Sequence, residues 1–428
     1  MIHSNDLPGP PAASLAFARP AGGVPVSLVS PGQMAGPAGL RFAARLAMVA
    51  AVLGLGASAL EAAPNARPLN SEPGISYTND VVPSVPWSIH VVKIDRSRKD
   101  LTFFSAHARG KVLGVSLIAE QARSIPPQLG RALAGVNGDF YERDNPSYAG
   151  DPRGLQILNG ELISAPSTVS VWFDPEGNPQ LGEVKADFHL TWPDGSKTPF
   201  GLNQQRGPSM AVLYTPTYGP STRVSGGRDL ILEREGNGPW LPIETGQAYR
   251  AKVRAVQDES NTKLPPDTLV LSLGPRLTDK VPEVAPGTVL ELTTLTTPDL
   301  RGVKTAISGG PAIIQDGKPF TQKVPPADAE RSYRERSRYE RHPRSAVGWS
   351  DTHIYLVTVD GRQPGLSVGM KLAELAEYMS RLGCTQAMNL DGGKSAQLWV
   401  GGQIMNSPCQ GEDTVANSLL VLRKNGTP

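Results

Sequence analysis

The chain has 428 residues, 39% hydrophobic and 6% aromatic, enough for one large core or two ordinary ones. Charged residues make up 19% and the formal net charge is +2, so the strongly basic stripe of a nucleic-acid binder is missing. Forty prolines and 45 glycines favour short strands joined by ordered loops over helical bundles.

The first element is an address. Arg41 and Arg45 precede an apolar run from Leu46 to Gly56 that carries on to Leu60. Small residues close it at Ala57, Ser58 and Ala59, then Ala62 and Ala63. These are the parts of a secretory signal, and the run is short of the ~20 apolar residues of a membrane span. A start at Met34 restores an ordinary signal length. The expected product is exported, periplasmic or secreted, and touches membrane only through that signal. Residues 1–63 then form the extension and signal, and 64–80 a linker.

From Trp87 the pattern is strand-like. Ser88–Ile94 alternates, Arg96 to Asp100 supply a turn, and Leu101–Phe104 resumes, which predicts a hairpin. Val115–Ala122 has helical spacing. An apolar run from Ala132 to Val136 leads into Asn137-Gly138-Asp139-Phe140-Tyr141. Between 188 and 297 short strands recur between Gly, Pro and Asp turns, predicting a β-rich subregion. It could be an embedded insertion or more of the same sheet.

The second half carries more chemistry. A mixed-charge run from Glu330 to Glu340 reads as a solvated loop or helix, and Arg341-His342-Pro343-Arg344 enters a strand behind it. Ile354–Val359 is an apolar strand ending at Asp360-Gly361-Arg362. Lys371–Leu382 is a helix with one apolar face, closed by Gly383. Gln386–Leu390 is a second buried strand, ending at Asp391-Gly392-Gly393. Strand, helix and strand predict a crossover with parallel strands, which sets Asp360 and Asp391 on one sheet edge. The predicted class is therefore α/β (α+β), with a mixed central sheet over 81–428.

Each motif also has a plainer reading. Asp-Gly is a turn signal wherever positive φ is needed. Gly309 and Gly310 could bend the chain or let backbone approach a ligand. Asn389, polar inside an apolar strand, has to find partners. Cys384 and Cys409 are the only cysteines, and in an oxidising compartment they are candidates for a disulfide. Histidines lack ligand spacing, so no metal residue is assigned, and neither G-x-S-x-G nor a P-loop occurs.

In this order the pieces resemble the phosphodiester glycosidases. They are Asn137-Gly138-Asp139-Phe140-Tyr141, Ser308-Gly309-Gly310-Pro311, His342-Pro343-Arg344-Ser345-Ala346, Val359-Asp360-Gly361-Arg362 and Asn389-Leu390-Asp391-Gly392-Gly393. Asn406-Ser407-Pro408 and Val415-Ala416-Asn417 resemble the closing segment. The chain departs from that pattern at Lys394-Ser395-Ala396, and at Glu412-Asp413-Thr414, where an arginine is usual.

The resemblance implies cleavage between a sugar anomeric carbon and a phosphodiester oxygen. The partner is then a carbohydrate or glycosyl phosphate, with no cofactor required and a divalent cation still possible. A departing phosphomonoester is already a weak base, so the demand shifts to cations on the phosphate and a carboxylate facing the oxocarbenium-like carbon. Asp391 is the expected nucleophile or base, with Asp139 next and Asp360 orienting the loop. Arg344 is the expected phosphate clamp, with Arg362 or Lys394 beside it. Asn137, Gly138, Tyr141, Gly309, Gly310, His342, Asn389, Gly392, Gly393 and Ser395 are the expected substrate contacts. A metal-dependent phosphodiesterase using Asp139, Asp360 and Asp391, or a non-catalytic envelope-glycan module, would use the same edge.

Overall fold

Period-two alternation decides most of this architecture. In the computed structural model, residues 72–258, 261–321 and 332–426 are described. The export signal, Met34, residues 64–71 of the expected linker, and Glu330 and Arg331 lie outside the described residues, and the rest of that linker is not one, because Ile75–Val82 is a strand.

A seven-stranded sheet runs in the order Ile75–Val82, Trp87–Asp95, His353–Val359, Arg344–Trp349, Gln386–Asn389, Ala312–Gln315, Lys318–Pro319. Each pairing in it is antiparallel. A five-stranded sheet, centred on Arg131–Asn137 and Asn417–Arg423, packs against it. Val92, Val347, Leu356 and Met388 from the first sheet share one buried cluster with Val136, Leu398, Leu419 and Val421 from the second. A third sheet adds Val171, Phe173 and Ile307 to that core. On the outer face of the seven-stranded sheet, the helix Leu372–Arg381 lays Leu372, Leu375, Ala376 and Met379 against Ile89, Val91, Val357 and Ala387. Glu374 caps it by accepting from the Lys371 N–H at 2.9 Å, and Gly383, at φ 88°, ends it.

Residues 185–297 supply a closed seven-stranded barrel. Alternate residues point inward: Leu190, Leu213, Leu230, Leu232, Ala251, Val253, Leu269, Leu271, Leu290 and Leu292 are all fully buried in one cluster. The interior is packed apolar side chain, with each Leu worth ~1.5–3 kcal/mol of transfer free energy.

The α/β class is overturned, because the structure is 43% strand and 10% helix. The mixed sheet is overturned as well. The helix does join His353–Val359 to Gln386–Asn389, but Arg344–Trp349 lies between them, antiparallel to both. The two outer strands consequently point the same way without pairing, and both aspartates still emerge at one edge. The predicted hairpin fails too. Trp87–Asp95 pairs in the seven-stranded sheet, while Leu101–His107 pairs with Asn417–Arg423 in the other. Residues 96–100 turn a corner between layers, held by Asp100 with Arg98 and Arg423. No disulfide joins Cys384 and Cys409: both are free, and Cys384 is buried under the helix.

Candidate functional site

Three chain segments meet where strands of the two packed sheets end. The Arg131–Asn137 strand runs into Gly138-Asp139, Gln386–Asn389 runs into Leu390-Asp391, and Asn417 opens the closing strand. Asn137 stitches them together: its Nδ2 donates to the Asp391 carbonyl at 2.6 Å, and its Oδ1 accepts from Ser345 Oγ at 2.6 Å and Gln397 N at 3.1 Å. The Asp391 N–H donates to the Gly138 carbonyl at 3.0 Å. Gly138 has to be glycine, since a Cβ there would lie 2.2 Å from Asn417 Oδ1 and 2.4 Å from Ile307 Cδ1.

Asp139 is buried and accepts from the N–H groups of Phe140 and Gly154, both at 2.8 Å. Burial pushes its carboxyl up to about 8; those two donors pull it down, and the Asp391 charge adds to the rise. The Asp391 side chain keeps 16% exposure. Burial raises its carboxyl as well, opposed by the Ser395 hydroxyl, Arg143 and the Gly392 N–H. The two carboxyls thus sense each other, and Asp391 is the one open to solvent.

Around them stand residues of mixed origin. Tyr141 donates its hydroxyl to the Thr414 carbonyl at 3.1 Å. Arg143, which the sequence reading missed, lies over the Tyr141 ring at 4.5 Å and sits 3.7 Å from Asp391 Oδ2. It also donates to Ser395 Oγ. Its signal in the sequence was faint: an arginine two residues after the Asn-Gly-Asp-Phe-Tyr stretch, in a loop of ordinary polarity. Lys394 pairs with Asp413 at 3.1 Å. Arg362 is exposed, reaches over the Gly392-Gly393 turn, and meets His342 Nδ1 at 3.2 Å. Burial lowers the His342 pKa, helped by Arg344 and Arg362.

The Gly309-Gly310 pair runs along the Asn389 backbone. Gly310 N donates to the Asn389 carbonyl at 2.7 Å, and a Cβ on Gly309 would lie 2.6 Å from that oxygen. Asn389 Nδ2 donates to the carbonyls of Gly310 and Leu390, while its buried Oδ1 has no hydrogen-bond partner among the described residues.

Two expected catalytic residues face elsewhere. Arg344 is buried, and its guanidinium donates to the carbonyls of Met370, Ser337 and Glu340. It fastens the 337–340 loop. Asp360 is 2% exposed, bonded to His90 Nε2 at 2.9 Å, Asn406 Nδ2 at 3.1 Å and Ser407 N at 2.8 Å. Tyr77 completes that network through His90 Nδ1 at 2.9 Å.

A β-sandwich bearing a closed barrel, with carboxylates gathered where strands of its two sheets end, is the class that fold and site define. Residues 247–422, about two fifths of the chain, match the model of the phosphodiester glycosidase family. Among solved structures, a Synechocystis protein superposes with TM-score 0.64 at 22% identity, covering 82% of this chain and 62% of that one. An exported protein of Burkholderia pseudomallei K96243 gives TM-score 0.60 at 25% identity, covering 78% and 74%. These likenesses establish the fold. The SPbeta prophage-derived protein YomE of Bacillus subtilis (strain 168) is 31% identical over 124 residues, 28% of this chain and 18% of its own length. The chain therefore spans under a fifth of that relative. No helix among the described residues is long and apolar enough to cross a membrane.

Proposed function

We propose that this protein is an exported phosphodiester glycosidase that hydrolyses a sugar-1-phosphodiester bond in a glycan or glycoconjugate, with Asp391 as the reacting carboxylate. The observation that carries this reading is the Asp139–Asp391 pair, held at the meeting of two family-like motifs with only Asp391 accessible. A phosphomonoester leaves without much protonation, so one accessible carboxylate beside a guanidinium matches the chemical demand. Asp391 acts as nucleophile or as base toward water. Asp139 fixes the loop behind it through Phe140 and Gly154, and Asn389 Oδ1 is a buried acceptor suited to a sugar hydroxyl. Export has support from the signal-like segment and from the exported Burkholderia protein of like fold.

The test is release of free sugar from a panel of α- and β-glycosyl-1-phosphodiesters, with and without chelator. Turnover that survives chelation and disappears in Asp391→Asn, with the thermal midpoint nearly unchanged, is the expected result. Turnover lost to chelator moves the assignment to a metal phosphodiesterase. Glycan binding without turnover moves it to a binding module.

A further inference from the structure

Beside Asp391 the site already contains an anion seated between two cations. Asp413 Oδ2 lies 3.1 Å from Lys394 Nζ and 4.0 Å from Arg143 Nη2. The three side chains are 25%, 44% and 33% exposed, while the Asp413 Oδ2 atom between the cations is itself covered. Arg143 is the better fixed of the two cations. It is stacked on Tyr141 and donates to both the Tyr141 hydroxyl and Ser395 Oγ, which sets the plane of its fork. Asp413 is anchored differently. Its backbone is pinned by Gln397, whose Nε2 donates to its carbonyl at 2.8 Å and whose Oε1 accepts from its N–H at 3.3 Å, while its Oδ1 accepts from Thr414 N at 2.9 Å. The remaining oxygen is the one aimed at the cations.

We propose that Arg143 and Lys394 form the seat for the substrate's phosphate, and that Asp413 occupies this seat as an internal counter-ion which the phosphate displaces. A phosphodiester carries one negative charge on two non-bridging oxygens, as a carboxylate does, so it can replace Asp413 without changing the charge balance. The guanidinium plane suits two such oxygens, and the lysine supplies a point charge. Exposed ion pairs are weak, so exchange of one anion for another is cheap. The seat also adjoins the carboxylate that has to face the anomeric carbon, 3.7 Å from Arg143. This assignment rests on the glycosidase reading only for the identity of the anion, and it replaces the buried Arg344 as phosphate clamp.

The experiment titrates inorganic phosphate into the full chain and its variants, followed by calorimetry or by protein resonances. Arg143→Gln should weaken phosphate binding by about three- to tenfold, and Lys394→Gln, an exposed change with little folding risk, should do likewise. Asp413→Asn retains an oxygen for Thr414 N and should tighten binding by a similar factor. Phosphate affinity unchanged in Lys394→Gln and Arg143→Gln overturns the proposal, as does weaker binding in Asp413→Asn. The titration needs no turnover. A wild-type chain that hydrolyses nothing in the glycosyl panel would sink the glycosidase reading and leave this result to stand by itself.

Discussion

Single residues at the site carry opposing demands of solvation and charge, and Asp139 shows this most directly. Its folded carboxyl is pushed up to about 8 from an ordinary 3.8, so between those values the folded state holds a proton that the unfolded state has released. Stability therefore falls as pH rises through that window, and Asp391, also raised, adds the same sign. Asp139→Asn should flatten the decline, read as thermal midpoint against pH; an equally steep decline in the variant would place the proton elsewhere. Gly138→Ala should destabilise by ~1–3 kcal/mol in urea unfolding, because its Cβ meets Asn417 Oδ1 and Ile307. It should also lower turnover, since Asn417 Oδ1 is the acceptor for the Asp139 N–H at 2.8 Å.

At the scale of elements, the edge that delivers Asp391 depends on an inserted strand. Arg344–Trp349 separates the two strands joined by the helix, and the first residue of that strand decides a testable point. Replacing Arg344 by Met removes the guanidinium donor from the carbonyls of Ser337 and Glu340 and one of two donors from that of Met370, which also accepts from the His342 N–H, at a total of about 1–3 kcal/mol. The expected outcome is a lower unfolding midpoint with KM for a glycosyl phosphodiester unchanged. A raised KM with stability intact would restore Arg344 as a phosphate contact. The corner at 96–100 has its own acid sensitivity. Arg98 holds the Asp100 carboxyl down to about 2, so its contribution is present above the ordinary 3.8 and is lost as pH falls from there through about 2.

Across the whole molecule, the barrel and the sandwich bury separate clusters, and the site lies on the sandwich. Leu271→Ala, deep in the barrel, should cost ~2–5 kcal/mol by chemical denaturation. Turnover per folded molecule should stay at the wild-type level; a fall in kcat within the folded fraction would tie the barrel to the site.

Much of this molecule was legible in its residues taken alone. The β-rich character of 188–297 and the helix face of Leu372, Leu375, Ala376 and Met379 with its Gly383 stop follow from local periodicity and helix-end chemistry, whereas Asp391-Gly392 is no positive-φ turn, Gly392 lying at φ −128°. The carboxylates Asp139 and Asp391 were found from motif order. What the residues could not specify is which strands pair, because hydrogen bonding across a sheet joins positions hundreds of residues apart and leaves no local pattern. The class was misjudged for that reason: a strand–helix–strand unit looks the same in sequence whether its strands are neighbours or, as here, divided by Arg344–Trp349. Arg143 and Arg344 divide along the same line. Both are arginines in polar surroundings, yet packing buried one against backbone carbonyls and left the other beside Asp391. An arginine's chemistry is set by its side chain, but its role depends on what tertiary contact leaves within reach.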